Sequence, residues 1–561
     1  MHYDLKIING SIIDGTGKTA YAGDVAVRDG TIVGLGNIGG DAEKTIDAEG
    51  KIVCPGFVDI HTHYDAQLLW DSNLSISPWH GVTTVVIGNC GFGIAPTRPS
   101  RRDLILRTLE KVEGMSLEAL RSGLGSDWGF ESFPEYLDLI ERKGTAINVG
   151  VLLGHTPIRL EVMGADAVLR EANVDEVLAM SDIIREGMDA GALGFATSHA
   201  PTHHGYDGHP VPSRLASIDE LDKLIGAMAE SKRGLMQATV GKTLFNEEFR
   251  LLSGRHGIPV TWTALLAGMS GPGSHRRHQE QAAALVNDGL NVVPQISCRP
   301  LNFDFDFDDP FVFEMRPLFA STMKTDREGR RKIYADSDFR AAFKEDSAVD
   351  ARNALGGWAE RAVISRSPGN EDQEERRLAE AAKEQAMDPI DLALDLSLES
   401  NFEARFRFPV VNFNDDEVEE LLLDPNMLVA LSDAGAHASQ LCDACYSTYL
   451  LGHWVREKGV LSLEQAVHML TLRPSEVFGI LDRGLLGEGR PADIVLFDPD
   501  TVGAGPLRRV YDLPSGADRL ISDANGIDAV IVNGNIIREN GIEIGNSVGL
   551  PGRLLRAGHA A

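Results

Sequence analysis

Apolar positions in the middle of this chain come in short unbroken runs, each ended by a polar or turn residue. The runs close at Ile60, Cys90, His155, Ser198, Val240, Leu266, Ser297 and Asp433. A strand covered on both faces has no exposed side to show, so it reads as a continuous apolar run, as parallel sheets require. Helix-period stretches separate several of these runs, among them Val174–Ala190 and Ile218–Ser231. The second opens on Ser217, with Glu220 at the position that completes a capping box. Eight β–α alternations over about four hundred residues predict a (β/α)8 TIM barrel in an α/β protein. The barrel is expected to span 55–479.

Residues 303–410 are richer in charge and too long for an ordinary βα loop, which predicts an inserted lid. The two ends have a different texture. Leu5–Ile8, Asp24–Arg28, Thr31–Leu35 and Lys44–Ile46 read as strands, with turn signals at Asn9-Gly10, Asp14-Gly15 and Asp29-Gly30. Ala492–Phe497, Ile527–Val532 and Ile536–Arg538 repeat that pattern near the other end. Neither set can bury a sheet alone. One small β-sandwich built from 1–54 and 480–561 is therefore expected.

Composition narrows the function. A chain of 561 residues exceeds one compact core, and a formal charge of −30 disfavours nucleic acid and anionic membrane surfaces as partners. Five scattered cysteines suit a reducing compartment better than a disulfide framework. No basic segment leads into a long apolar one at the start, and no run reaches the ~18 apolar residues of a membrane span. These features predict a cytoplasmic protein acting on a small molecule, with enough surface to form a homo-oligomer.

His61-Thr62-His63 closes the run Ile52–Ile60. Spacing i, i+2 along a strand puts both imidazoles on one face, a half-site for a divalent metal such as zinc. A second apolar strand, Met427–Ser432, ends in Asp433. Metal chemistry there would make Asp433 a proton carrier, and C–N hydrolysis needs one because an amide nitrogen leaves poorly unless protonated.

Several segments together resemble the amidohydrolase superfamily, within it the N-acyl-D-amino-acid deacylase (D-aminoacylase) branch. Pro55-Gly-Phe-Val-Asp-Ile-His-Thr-His-Tyr-Asp-Ala-Gln67 is similar to that branch's first barrel strand, and Gly81–Gly93 to its second. Gly154–Arg159 is similar to the third, Leu431–His437 to the eighth, and Arg483–Phe497 to the return into the β-sandwich. The resemblance implies hydrolysis of N-acyl-D-amino acids with zinc on His61, His63, Cys90 and Asp433. Cys90 stands where this branch has a cysteine ligand in place of the carbamylated lysine of other members.

The sequence also departs from that pattern. The branch carries a histidine at the end of strands 5 and 6, where this chain has Thr239 and Ala264. One zinc is then expected, or two if a histidine is recruited from elsewhere. His155, His437 and the loop His199–His209, which holds His199 and His203, supply the candidates. Arg214 and Arg299 are candidate partners for a substrate carboxylate, since a guanidinium grips it in bidentate fashion. A cyclic amide, carbamate or lactone on the same site is an alternative reading, and a non-catalytic barrel that only binds is another. Cys442-Asp-Ala-Cys445 lacks a second pair for a zinc knuckle. Phe303–Asp309 lacks the glycine turn of a calcium loop and reads as a lid or edge strand.

Overall fold

The computed structural model describes residues 2–314, 316–348, 355–545 and 549–560. Eight parallel strands form its centre: β1 (Phe57–Asp59), β2 (Val82–Ile87), β3 (Asn148–Gly154), β4 (Gly194–Ser198), β5 (Leu235–Thr239), β6 (Val260–Thr263), β7 (Val292–Ile296) and β8 (Leu428–Val429). Each pairs with its neighbour in chain order. The ring closes just beyond the strands, where Thr62 bridges Ala434 in parallel register. There His63 N–H donates to Ala434 O at 2.7 Å and Asp433 N–H to His61 O at 3.2 Å. Every residue of β1 to β4 is buried, the packing that their unbroken apolar runs imply. The fold is an α/β TIM barrel with an attached β domain.

Helices Val174–Ala190 and Ile218–Ala229 occupy the predicted stretches. Ser217 does cap the second, accepting from Glu220 N at 3.2 Å. The Glu220 carboxylate does not return the bond as a capping box would. It turns inward to His155 and Arg159, because an unpaired buried arginine costs more than an unfilled cap.

Both ends of the chain enter one nine-stranded sheet. Ile52–Pro55 pairs antiparallel with Ile494–Phe497, so the strand that leads into β1 also joins the two ends. The segment between β7 and β8 builds its own three-stranded sheet from Leu301–Asp306, Val363–Arg366 and Arg405–Val411. Beneath it lies a separate aromatic core that includes Phe305, Phe307, Phe313, Phe343 and Trp358. The first of its strands lies at the sheet edge, and Asp304 N–H donates to Gln440 O at 2.7 Å in the loop after β8. Among the described residues, no helix is long and apolar enough to cross a membrane.

Candidate metal centre

His61 and His63 owe their aim to the backbone that clamps them. Thr62 is held to Val86 O of β2 through both its N–H (3.2 Å) and its hydroxyl (2.8 Å). On the other side, His61 O accepts from Ser432 Oγ at 3.0 Å. With the residue between them fixed to β2, the two rings face the barrel mouth together, their centroids 5.3 Å apart.

Cys90 arrives from a sharp turn after β2. Gly88 sits at φ 84°, and a Cβ there would come within 2.3 Å of Leu152 O, so only glycine fits. Asp65 Oδ2 accepts from Gly88 N at 3.1 Å, and Gln237 Oε1 of β5 accepts from Cys90 N at 2.7 Å. The thiol ends 3.4 Å from His61 Nε2. Donor atoms of His61, His63 and Cys90 all lie within 4.8 Å of one another. Asp433, at φ 45°, brings Oδ1 to 3.3 Å from His61 Nε2 and 3.9 Å from His63 Nε2.

The electrostatics suit a soft divalent cation. Burial pushes the Cys90 thiol up, but the adjacent His61 and His63 outweigh it and bring the thiol down to about 6. Burial likewise disfavours charged His63, yet Glu113 and Cys90 raise its imidazole well above the ordinary value. Two imidazoles and an acidified thiol, with a carboxylate beside them, are a donor set that fits zinc. The far nitrogen of His61 is also engaged. His61 Nδ1 donates to Gln295 Oε1 at 2.7 Å, and Gln295 Nε2 in turn donates to Thr261 Oγ1 at 3.2 Å. That leaves the lone pair of His61 on Nε2, the atom beside Cys90.

The other predicted residues separate. His155 stands outside the cluster: Nδ1 meets Thr197 Oγ1 and Nε2 meets Glu220 Oε1, both at 2.9 Å, so no lone pair is free for a metal. Arg299 already has partners: its Nε lies 3.2 Å from Asp443 Oδ1 and its guanidinium stacks 5.2 Å from the Tyr449 ring, with Arg299 and Asp443 both buried. His203 packs on Phe92 with centroids 5.2 Å apart, and its Nδ1 is 2.7 Å from Ser198 Oγ. Burial first, then His437 and His63, push its imidazole down to about 3. His199 Nδ1 meets Thr243 Oγ1 at 2.8 Å, while its Nε2 is buried without a partner. His437 lies at the rim, its ring 6.4 Å from Phe303 of the inserted sheet. Arg214 donates from Nη1 to His203 O at 3.0 Å.

Thr239 ends β5 and Ala264 directly follows β6, and the hydroxyls of Thr239 and Thr263 approach to 3.3 Å. No imidazole stands at either strand end. Gln237, Gln295 and Glu113 escape the sequence reading. The glutamines do carry a signal, each being a lone amide inside an otherwise apolar strand. Glu113 carries none, since a charged residue in an inter-helix turn is ordinary.

Known proteins resemble this chain over nearly its whole length. Over 548 residues the chain is 26% identical to the D-aminoacylase of Alcaligenes xylosoxydans xylosoxydans, covering 95% of this chain and 94% of that protein. The N-acyl-D-aspartate deacylase of the same organism is 28% identical over 585 residues, covering 99% and 96%. Among solved structures, the N-acyl-D-glutamate deacylase of Bordetella bronchiseptica, complexed with zinc and a phosphonate mimic of the tetrahedral intermediate, superposes with a TM-score of 0.66. That structure is 27% identical and covers 99% of this chain and 100% of its own. Residues 44–254 and 333–538 match the amidohydrolase family, and the chain belongs to it.

Proposed function

We propose that this protein is a zinc-dependent hydrolase that cleaves the amide C–N bond of N-acyl-D-amino acids. Its membership of the amidohydrolase family and its deacylase relatives make it a metal-dependent amide hydrolase acting on C–N bonds other than peptide bonds. The observation that carries the finer reading is the convergence of His61, His63 and Cys90 within 4.8 Å at the barrel mouth. Asp433 stands beside them with its side chain 20% exposed.

In this reading His61, His63, Cys90 and Asp433 would hold one zinc. A zinc there would acidify a water toward neutral pH and polarise the scissile carbonyl. Asp433 takes the proton released as water attacks the carbonyl carbon. As the C–N bond breaks, it returns that proton to the nitrogen, which leaves as a neutral amine. Its position at the rim, reached by solvent on one side, suits both transfers. Arg214 supports the substrate's α-carboxylate, since Arg299 is already paired with Asp443. Threonine and alanine at the ends of strands 5 and 6 offer no second set of imidazoles, which favours one metal over two.

The test is elemental analysis of protein purified without added zinc, followed by assay on N-acetyl-D- and N-acetyl-L-amino acids. About one zinc per chain and turnover confined to the D series is the expected result. Full turnover after stringent chelation, or by a His63→Ala variant, would sink the zinc reading. Zinc without turnover of any N-acyl-D-amino acid would sink the substrate reading alone.

A further inference from the structure

Two carboxylates approach His63 from opposite ends of its ring. Asp433 Oδ1 lies 3.9 Å from Nε2, and Glu113 Oε1 lies 3.3 Å from Nδ1. Glu113 therefore cannot share the cation with Nε2; it faces the far side of the imidazole. Its side chain is 8% exposed, an unusual depth for a glutamate unless it has a partner.

The backbone around Glu113 is fixed with equal care. Glu113 follows helix α1 (Arg102–Val112), and its N–H donates to Leu109 O at 2.7 Å. Its carbonyl accepts from Ala438 N at 3.3 Å, and Gly114 O accepts from Ser439 Oγ at 3.3 Å. A Cβ on Gly114 would come within 3.2 Å of His437 Cα, so the turn lies flat against the loop that follows Asp433. The segment carrying the carboxylate is thus clasped to the same loop that supplies Asp433. His61 has a comparable support in Gln295, but from a neutral amide.

We propose that Glu113 is a positioning residue for the metal centre, its carboxylate pairing with the Nδ1 end of His63 so that the ring's Nε2 points at the cation. A carboxylate on the far nitrogen of a ligating histidine fixes ring orientation and tautomer and strengthens the ligand, and losing such a partner typically costs about 10–100-fold in metal affinity. This rests on the zinc reading above.

The experiment strips the metal from wild type, Glu113→Gln and Glu113→Asp with a chelator, then titrates zinc against a chromophoric competitor and records the thermal midpoint of each apo-protein. Glu113→Gln should bind zinc about 10–100-fold more weakly with an unchanged apo midpoint. Glu113→Asp, which keeps the charge, should recover part of that loss. Wild-type affinity in Glu113→Gln would overturn the proposal, and so would an aspartate variant no better than glutamine. A Glu113→Gln apo-protein that melts lower or does not fold would make this turn part of the scaffold and overturn it too. A wild type that binds no zinc would remove the zinc reading itself, a result distinguishable from the others.

Discussion

Asp433 is asked to occupy a left-handed backbone position at φ 45° and to aim a carboxylate at two imidazoles. Asparagine tolerates that conformation and matches the size, but cannot carry a proton between water and a leaving nitrogen. Asp433→Asn should therefore fold normally and lower kcat by about 10²–10⁴, the usual worth of a positioned acid–base group. The check is steady-state kinetics at saturating zinc beside a thermal melt. A variant with wild-type kcat would remove Asp433 from the reaction. The residue types at the site were legible in the chain, because the histidine pair closes an apolar strand and a second apolar strand closes on Asp433. Their partners were not, since the contacts of Gln295 and Gln237 come from strands more than a hundred residues away.

Helix Ile218–Ala229 shows how an element answers to its surroundings. Its start was legible in Ser217, and the hydroxyl does cap it. Its third residue obeys a tertiary demand: Glu220 sits 2% exposed between His155 and Arg159. Burial alone would push the Glu220 carboxyl up, but His155 and Arg159 outweigh it and hold the carboxyl below its ordinary value. Glu220→Gln should cost about 3–5 kcal/mol, because it leaves the buried Arg159 unpaired. Ser217→Ala, which removes only the cap, should cost about 1 kcal/mol. Denaturant unfolding of the two variants side by side is the check. Equal losses would mean that the carboxylate serves the cap and not the ion pair.

At the scale of the whole molecule, His80 joins three regions. It follows the loop out of β1, its Nδ1 meets Thr448 Oγ1 at 2.7 Å, and its Nε2 meets Ser522 O at 3.0 Å in the strand Arg519–Asn525. Burial, with help from Arg299 and Arg538 and against Asp523, pushes its imidazole down to about 3. The folded protein thus keeps His80 neutral where the unfolded chain protonates it, below about 6.5. Its contribution to stability is complete above that value. It is lost as pH falls toward 3, by up to about 1.4 kcal/mol per pH unit. Thermal midpoints recorded between pH 7 and pH 5 should fall for the wild type and fall less steeply for His80→Asn. Parallel slopes would show that His80 does not report on this junction.

Local sequence determined the parts whose cause is local. Unbroken apolar runs specify strands buried on both faces, and these make up β1 to β8. Ser217 marks a helix start, and His61 with His63 marks a strand end that can hold a cation. Phe303 was legible as part of an edge strand, though not as a neighbour of His437. Tertiary structure decided everything that depends on which distant groups meet. It gave His155 to Glu220 and Arg299 to Asp443, each because a buried charge or donor must be answered by the nearest complementary group. It also set Glu113 against His63 by clasping one turn to the loop after β8, a contact that no spacing along the chain encodes.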